Sequence, residues 1–592
     1  MSRNAQENGD VFVYDEFAWK LADRLLEDFK PFVTSDFYDA AKAASAARNV
    51  GEWRALASGK LGSETNVTTL KTTRQVTDLF KKFSFSQDIL TPDQLLQDSK
   101  RKFVVNQERL LAFRLDRTDP LVRDVVWRAR GWCEKILGDF DSLELCERAT
   151  FGKKSSVGVP MRKACEGERY EAPISGSDDH IDWFAKYYRA YNRPAFEYAS
   201  RTAVLSQKPL FKSIDILEAV LVPKTWKSLR MIMPNTTLGT LYSSGLGRMI
   251  EDRLRNFGYD IKHLQPVHGE LAKIGSITGS LVTADQSLAS DNITVGLVNE
   301  IFPWRWARAL NFGRIGKVSL YGDIIDSPTF ATMGIGFTFP LQTLLFLVLL
   351  LAIRDHLSLG EETVISVYGD DLIYATEMHS AVVDVFPKLG LVLNLDKTFA
   401  EGFFRESCGQ DYYRGIDVRP FHLGRSTGRS AGKRRAEAYL YKALNALLRR
   451  WSVYEVSSTA AYIVGELRRV RGSDPLVVPT DFPDTAGIKY DYFVVDELGL
   501  AVKGTRDVHG TLHFRYLAFE AEQRKEDRHE PYMFLRLRRA SDVARLPFPV
   551  RGSGDVLVES TPIFKWDAAP GGAVRSELTG RRHRRMLAFI PA

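Results

Sequence analysis

Cysteine is scarce in this chain: there are four in 592 residues, Cys133, Cys146, Cys165 and Cys408, far apart and without a C-x-x-C pair. That argues against a disulfide framework and against a zinc site, and it suits a reducing cytoplasm. An excess of one charge is nearly missing as well. Lys and Arg number 81 against 74 Asp and Glu, a net of +7, which fits a nucleic-acid partner but is too thin to establish one. Long hydrophobic runs are also lacking. Within Phe337–Ile353 the unbroken apolar part goes only from Leu344 to Ile353 before Arg354, Asp355 and His356 end it. A membrane span needs roughly 20 such residues, so a buried core helix and no membrane partner are expected. The start, MSRNAQENGDVFVYDEF, does not have the basic-then-apolar order of an export signal. No internal repeat is found.

The chain is several times the roughly 100–200 residues of one domain, so two or three subdomains around a substantial core are expected. To about residue 270, helical patterns such as Ala18 to Phe29 and Asp182 to Tyr198 alternate with Gly/Ser loops, one of them the basic stretch Phe151 to Pro160. From about 278 to 400 the pattern becomes strand, helix, hairpin, which makes the core α+β. Gly424 to Arg435 then carries five cations and no acid, leading into an amphipathic helix from Ala436 to Trp451. That composition reads as a domain boundary near nucleic acid. Beyond Pro475 the pattern is mostly β, and the tail holds a basic run from Arg581 to Arg585.

What stands out is SVYGDDLIYA at 366–375, two adjacent acids between β-prone runs. Gly369 supplies the backbone freedom of a tight hairpin and leaves Asp370 and Asp371 at its tip. Consecutive strand residues face opposite ways, so Asp370 is expected as the main metal ligand and Asp371 as an auxiliary. Upstream, GSLVTADQSLASDN at 279–292 ends an apolar strand on Asp285, with Asp291 following after five residues. Laid side by side, strand and hairpin would bring Asp285 opposite Asp370. Hard carboxylate oxygens select Mg²⁺, with Mn²⁺ able to substitute. Two ions about 3.5–4 Å apart suit phosphoryl transfer.

Three further stretches add to this pattern. ATMGIGFTFP at 331–340 offers Gly334 and Gly336 for close backbone approach, and Thr338 opens the apolar helix; it is a candidate for holding template and ribose. PKTWKSLR places Lys224, Lys227 and Arg230 three apart, suited to a triphosphate, although three surface cations are usually only solvated. Lys397, in LNLDKT, could protonate departing pyrophosphate, against the plainer reading of an ion pair.

The order PKxxKxxR, D-x5-D, Gly-rich loop with Thr, YGDD, DK and FRESCG (404–409) resembles the RNA-directed RNA polymerases of single-stranded RNA bacteriophages, the leviviral replicase beta (catalytic) subunits. The likeness covers about 220 to 420. It implies a right hand of fingers, palm (an antiparallel sheet flanked by helices) and thumb. Those parts would span 1–275 for the fingers and N-terminal region, 276–420 for a palm with a fingers insertion around 300–328, and 421–592 for the thumb and C-terminal region. It also implies Mg²⁺ on Asp285, Asp370 and Asp371, triphosphate contacts at Lys224, Lys227 and Arg230, and primer-independent copying of RNA from NTPs in the cytoplasm of an infected bacterium. Such replicases work with host elongation factors Tu and Ts, and some recruit a ribosomal protein. In the wider viral pattern an Asn follows the Thr by four residues; here Gln342 does, which shifts suspicion for ribose reading onto Asp291 and Asn292.

Lookalikes are set aside on order and context. Tyr321-Gly322-Asp323 precedes the Gly-rich loop and is expected to cap a structural hairpin. Ser177-Asp178-Asp179 opens a helix. His509 and His513 lie without acid or Cys ligands, and Gly428-x3-Gly432-Lys433 is too short for a phosphate loop. Two competing functions stay open. A reverse transcriptase would share the palm, yet Gln286 to Asp291 contains no aromatic of the kind that excludes a 2′ hydroxyl by family analogy. A non-catalytic RNA-binding scaffold would not need the three acids together with Lys397.

Overall fold

The computed structural model describes residues 12–56, 66–85, 92–152, 155–160, 166–225, 228–330, 332–424, 430–502, 504–506, 512–519, 524–525, 555–556 and 583–590. They divide into two units. The described residues within Met1–Thr91, Val418–Asp527 and Arg551–Ala592 form one, and those within Pro92–Asp417 the other. These units differ from the three spans expected from sequence: the break at 417/418 lies beside the expected 421, whereas the described residues up to 85 share a unit with those from Val418 on.

The first unit is held by an amphipathic helix, Tyr14–Phe29, whose Phe17, Leu21, Leu25 and Phe29 recur at helical spacing and are buried. It packs along the helix Ser457–Arg471. Asp28 caps that second helix, its carboxylate accepting from the Ser458 N–H at 3.0 Å and the Thr459 N–H at 2.9 Å. Gln75 ties distant chain together: its Nε2 donates to the Phe421 carbonyl at 2.8 Å, and its Oε1 accepts from the Phe421 N–H at 2.7 Å and the Trp451 indole at 2.9 Å. The helix expected from Ala436 is found as Lys433–Leu448. Past 475 the described residues form short strands, an eight-residue pair of 512–519 with 583–590, and a short helix, Tyr492–Glu497.

The second unit is built around the helix Thr338–His356. Its sequence is apolar on all sides, so it can be stable in water only if covered on all sides. It is the one described helix long and apolar enough to cross a membrane, and 83% of its most apolar window is buried inside the fold. The helix Pro120–Leu137 packs along it. That helix begins where Asp119 caps the Leu121 and Val122 N–H groups at 2.8 and 3.2 Å with Pro120 in the first turn, and it ends at Gly138. The helix expected over Asp182 to Tyr198 is interrupted, because Asn192 caps a new helix, Arg193–Ser206, with Pro194 in its first turn. The unit is α+β, as expected: a three-stranded antiparallel sheet ordered 365–368, 371–375, 281–284 lies against the apolar helix and is followed by a second sheet of 404–407, 410–413 and 416–417.

Candidate active site

The YGDD stretch is a two-residue hairpin. Tyr368 pairs with Asp371 across the turn, and Gly369 has φ +65°, a conformation that favours glycine. The turn is fixed from the core helix. Gly369 N–H donates to Thr343 Oγ1 at 3.0 Å, and a Cβ on Gly369 would come within 2.6 Å of the Phe339 ring. Phe339 also meets Tyr368 edge-on at 4.8 Å, and the Tyr259 hydroxyl donates to the Val367 carbonyl at 2.9 Å. Thr343, Phe339 and Tyr259 were not singled out from the sequence; Thr343, a lone hydroxyl in an apolar run, was the available signal.

The strand carrying Asp285 lies beside this hairpin, with a register that corrects the expectation by one residue. Leu372 pairs with Ala284 and Ile373 with Thr283, so continuing the ladder by one step aligns Asp371, not Asp370, with Asp285. The turn takes up Gly369 and Asp370, which makes Asp371 the first strand residue. Burial, then the charges of Asp370 and Asp285, raise the pKa of the Asp371 carboxyl to about 7.

Lys397 arrives because residues beyond Asp285 run antiparallel to 392–394. Ser287 N–H donates to the Val392 carbonyl and Asn394 N–H to the Asp285 carbonyl, both at 2.9 Å. Lys397 Nζ then lies 2.9 Å from Asp285 Oδ2, which also accepts from Asn394 Nδ2 at 3.3 Å. Burial works against the Lys397 charge, but the hydrogen bond and charge of Asp285, with Glu406 and Asp371 beyond, hold its pKa above the ordinary value. The ion pair is therefore real, and it brings the lysine to the acids.

Asp291 and Asn292 follow in a short turn. Desolvation lifts the Asp291 carboxyl to about 6. The Asn292 amide is engaged at both ends: Oδ1 accepts from Arg109 Nη2 at 2.7 Å and Nδ2 donates to the Ser287 carbonyl at 2.7 Å. Arg109, on the helix Pro92–Ala112, also donates to the Gly390 carbonyl at 3.2 Å and so joins three segments that sequence spacing could not connect. Gln286 and Gln342 are both 5% exposed, and each has a buried Nε2 without a hydrogen-bond partner.

The Gly-rich loop faces its own chain. A Cβ on Gly336 would lie 2.7 Å from Ser244 N, and one on Gly334, at φ +121°, would lie 2.8 Å from the Met233 carbonyl. Both glycines are thus required for backbone-to-backbone packing, and the Thr338 hydroxyl donates to the Thr332 carbonyl at 3.0 Å. Met233 N–H donates to the Met333 carbonyl at 3.2 Å, which connects this loop to the strand Ser228–Ile232 bearing the exposed Arg230. The side chains of Lys224 and His513, with Lys227, Cys165 and His509, lie outside the described residues.

Of the lookalikes, Asp323 starts the second strand of a hairpin in another sheet, 76% exposed and 3.4 Å from Lys100. Ser177 caps the helix Asp178–Trp183, accepting from the His180 N–H at 3.4 Å. Among the described residues no three or more His, Cys, Asp or Glu side chains are already gathered as a metal cage. Asp285, Asp370 and Asp371 nevertheless supply only hard oxygen donors, and the burial that raises the Asp371 pKa, with the added repulsion of Asp370 and Asp285, is of the kind a divalent cation relieves.

Comparison with known proteins gives the family. Residues 79–455 match the family described as RNA replicase, beta-chain. The RNA-directed RNA polymerase subunit beta of Escherichia virus Qbeta is 38% identical over 207 residues, 35% of this chain and 35% of that protein. The RNA-directed RNA polymerase beta chain of Escherichia phage MS2 is 36% identical over 207 residues, 34% of this chain and 36% of that one. The matched stretch thus spans about a third of these relatives' length. A solved structure titled RdRp complex aligns over 68% of this chain and 37% of its own at a TM-score of 0.33 and 11% identity, too low to bear on the fold. With more than half of its length matched, and with the aspartates and Lys397 inside the match, the chain belongs to the RNA replicase beta-chain family.

Proposed function

We propose that this chain is an RNA-directed RNA polymerase that replicates a phage RNA genome without a primer, in the cytoplasm of an infected bacterium. The observation that supports it best is the alignment of Asp285 beside Asp371 with Lys397 ion-paired to Asp285, within a replicase-family chain. In the proposed right hand, the 281–284 and 365–375 sheet is the palm.

The reaction is attack of a 3′ hydroxyl on the α-phosphate of an NTP; the new P–O bond forms as the bond to the β-phosphate breaks, and pyrophosphate leaves. Asp285, Asp370 and Asp371 would hold two Mg²⁺ ions, which when bound supply positive charge at the attacking and leaving oxygens. Lys397, kept protonated by Asp285, would give its proton to pyrophosphate. Arg230, with Lys224 and Lys227, would neutralise the triphosphate. Asp291 would accept from a ribose 2′ hydroxyl, and the unpartnered Nε2 groups of Gln286 and Gln342 are candidate donors there. Asn292, engaged at both ends, would support that turn. The choice of each nucleotide is left to base pairing with the template. Host elongation factors Tu and Ts, and a ribosomal protein, are the proposed partners.

The test is incorporation of labelled NTPs, with dNTPs in parallel, on a short C-ended RNA with Mg²⁺. NTP incorporation lost in Asp370→Asn and kept in Asp323→Asn is expected. Incorporation of dNTPs instead would favour a reverse transcriptase. None with either, even with host extract added, would overturn the reading.

A further inference from the structure

Asn292 is 1% exposed, so its amide has to find its partners inside the protein. Its Nδ2 closes the turn locally on the Ser287 carbonyl, while its Oδ1 accepts from Arg109 Nη2 at 2.7 Å, across 183 positions of chain. The guanidinium serves two other acceptors at the same time. Nη1 and Nη2 donate to the Gly390 carbonyl at 3.2 and 3.3 Å, and Nε and Nη2 donate to Asn106 Oδ1 at 3.2 and 3.1 Å. Asn106 lies one turn back on the same helix and fixes the plane of the fork. Gly390 leads into the segment whose Val392 carbonyl accepts from the Ser287 N–H at 2.9 Å. The helix also reaches the turn from its other side. Gln107 Oε1 accepts from Ser327 Oγ at 2.9 Å and lies 3.2 Å from Thr329 Oγ1, which donates to the Asp291 carbonyl at 2.7 Å.

Asp291 is therefore braced at its own carbonyl and at the next residue, by side chains two positions apart on one helix. The acceptors that Arg109 meets here are neutral amide and carbonyl oxygens, so its fork supplies direction and not charge cancellation. We infer that Arg109 is a positioning residue for sugar recognition: it holds the Asp291–Asn292 turn in the orientation that tells a ribose 2′ hydroxyl from a deoxyribose. The inference rests on the polymerase reading for its ligand, but it is scored by binding as well as by turnover.

Arg109→Met keeps the aliphatic stem and removes the fork, Arg109→Lys keeps the charge and a single donor group, and Asn292→Ala removes the other end of the same bond. GTP and dGTP are titrated calorimetrically, with Mg²⁺, onto the full chain bound to a C-templated RNA whose 3′ end lacks its hydroxyl, so that binding is read without turnover. Incorporation of both nucleotides is followed separately on the extendable RNA. Wild type is expected to prefer GTP. That preference should fall by about 3- to 10-fold in Arg109→Met and in Asn292→Ala, the worth of one hydrogen bond, with Arg109→Lys between. The double variant should fall no further, because both changes break one contact. A purely structural role would weaken both nucleotides alike. An unchanged GTP:dGTP ratio in Arg109→Met, effects that multiply in the double variant, or no preference in wild type would each overturn the inference. Should Arg109→Met fail to fold, Arg109→Lys and Asn292→Ala read the same ratio. A binding preference for GTP that falls as expected, with no incorporation by wild type, would count against the polymerase reading and leave the role of Arg109 standing.

Discussion

Thr343, in the middle of the most apolar helix of the chain, accepts the backbone N–H of Gly369 at 3.0 Å, so the core helix directly holds the turn that presents Asp370 and Asp371. Thr343→Val keeps the volume and removes the acceptor. An unmet buried N–H costs about 1–3 kcal/mol. Unfolding in urea should show a loss of that size, and incorporation should fall by at least about ten-fold if the hairpin loosens by the equivalent of 1.4 kcal/mol. Unchanged values in both measurements would mean the turn is held without it.

Gly336 is needed for packing. Gly336→Ala would place a Cβ 2.7 Å from Ser244 N, a backbone atom that cannot swing aside. A destabilisation of about 1–3 kcal/mol is expected from such overpacking. Gly296→Ala, whose Cβ would find nothing nearer than Thr294 Oγ1 at 3.8 Å, serves as the control and should be neutral or slightly stabilising in thermal melts.

Lys397 can be divided into its two roles. Lys397→Gln removes both the ion pair with Asp285 and the acid, and turnover should drop by about 10²-fold or more. Lys397→Arg keeps the charge but cannot release a proton at neutral pH. If pyrophosphate is protonated by this residue, the arginine variant should bind NTP normally and still turn over slowly; wild-type turnover would leave only the ion pair.

Acid should destabilise the second unit through its buried histidines. Desolvation lowers both His180 and His268 to about 4, against an ordinary value of 6.5. Between those values the unfolded chain binds more protons than the folded one. The contribution is thus complete above pH 6.5 and falls away as pH drops towards 4, by up to roughly 3 kcal/mol per histidine. Urea midpoints at pH 7, 6 and 5 should decline for wild type and less steeply for His268→Gln.

The local chemistry was legible in the sequence alone. An apolar run ending in Arg-Asp-His reads as a covered helix, and YGDD between β-prone runs reads as a tight hairpin with acids at its tip, because hydrophobic periodicity and glycine conformation act over a few residues. The family order picks out Asp285 and Lys397, and Asp323 lies exposed in another hairpin, apart from the acids of the other YGD. What only the tertiary structure decided lies at longer range. Strand register is set by packing on a shared core, so the alignment of Asp285 with Asp371 instead of Asp370 could not be counted from spacing. The glycines of the 332–337 loop read as room for a ligand, yet the backbone of Met233 and Ser244 pressed against them is what requires them. The hydrogen bonds of Arg109 to Asn292 and of Gly369 to Thr343 join residues 183 and 26 positions apart. No local pattern encodes such pairs; burial does, by leaving each polar group only the partner that the folded chain brings to it.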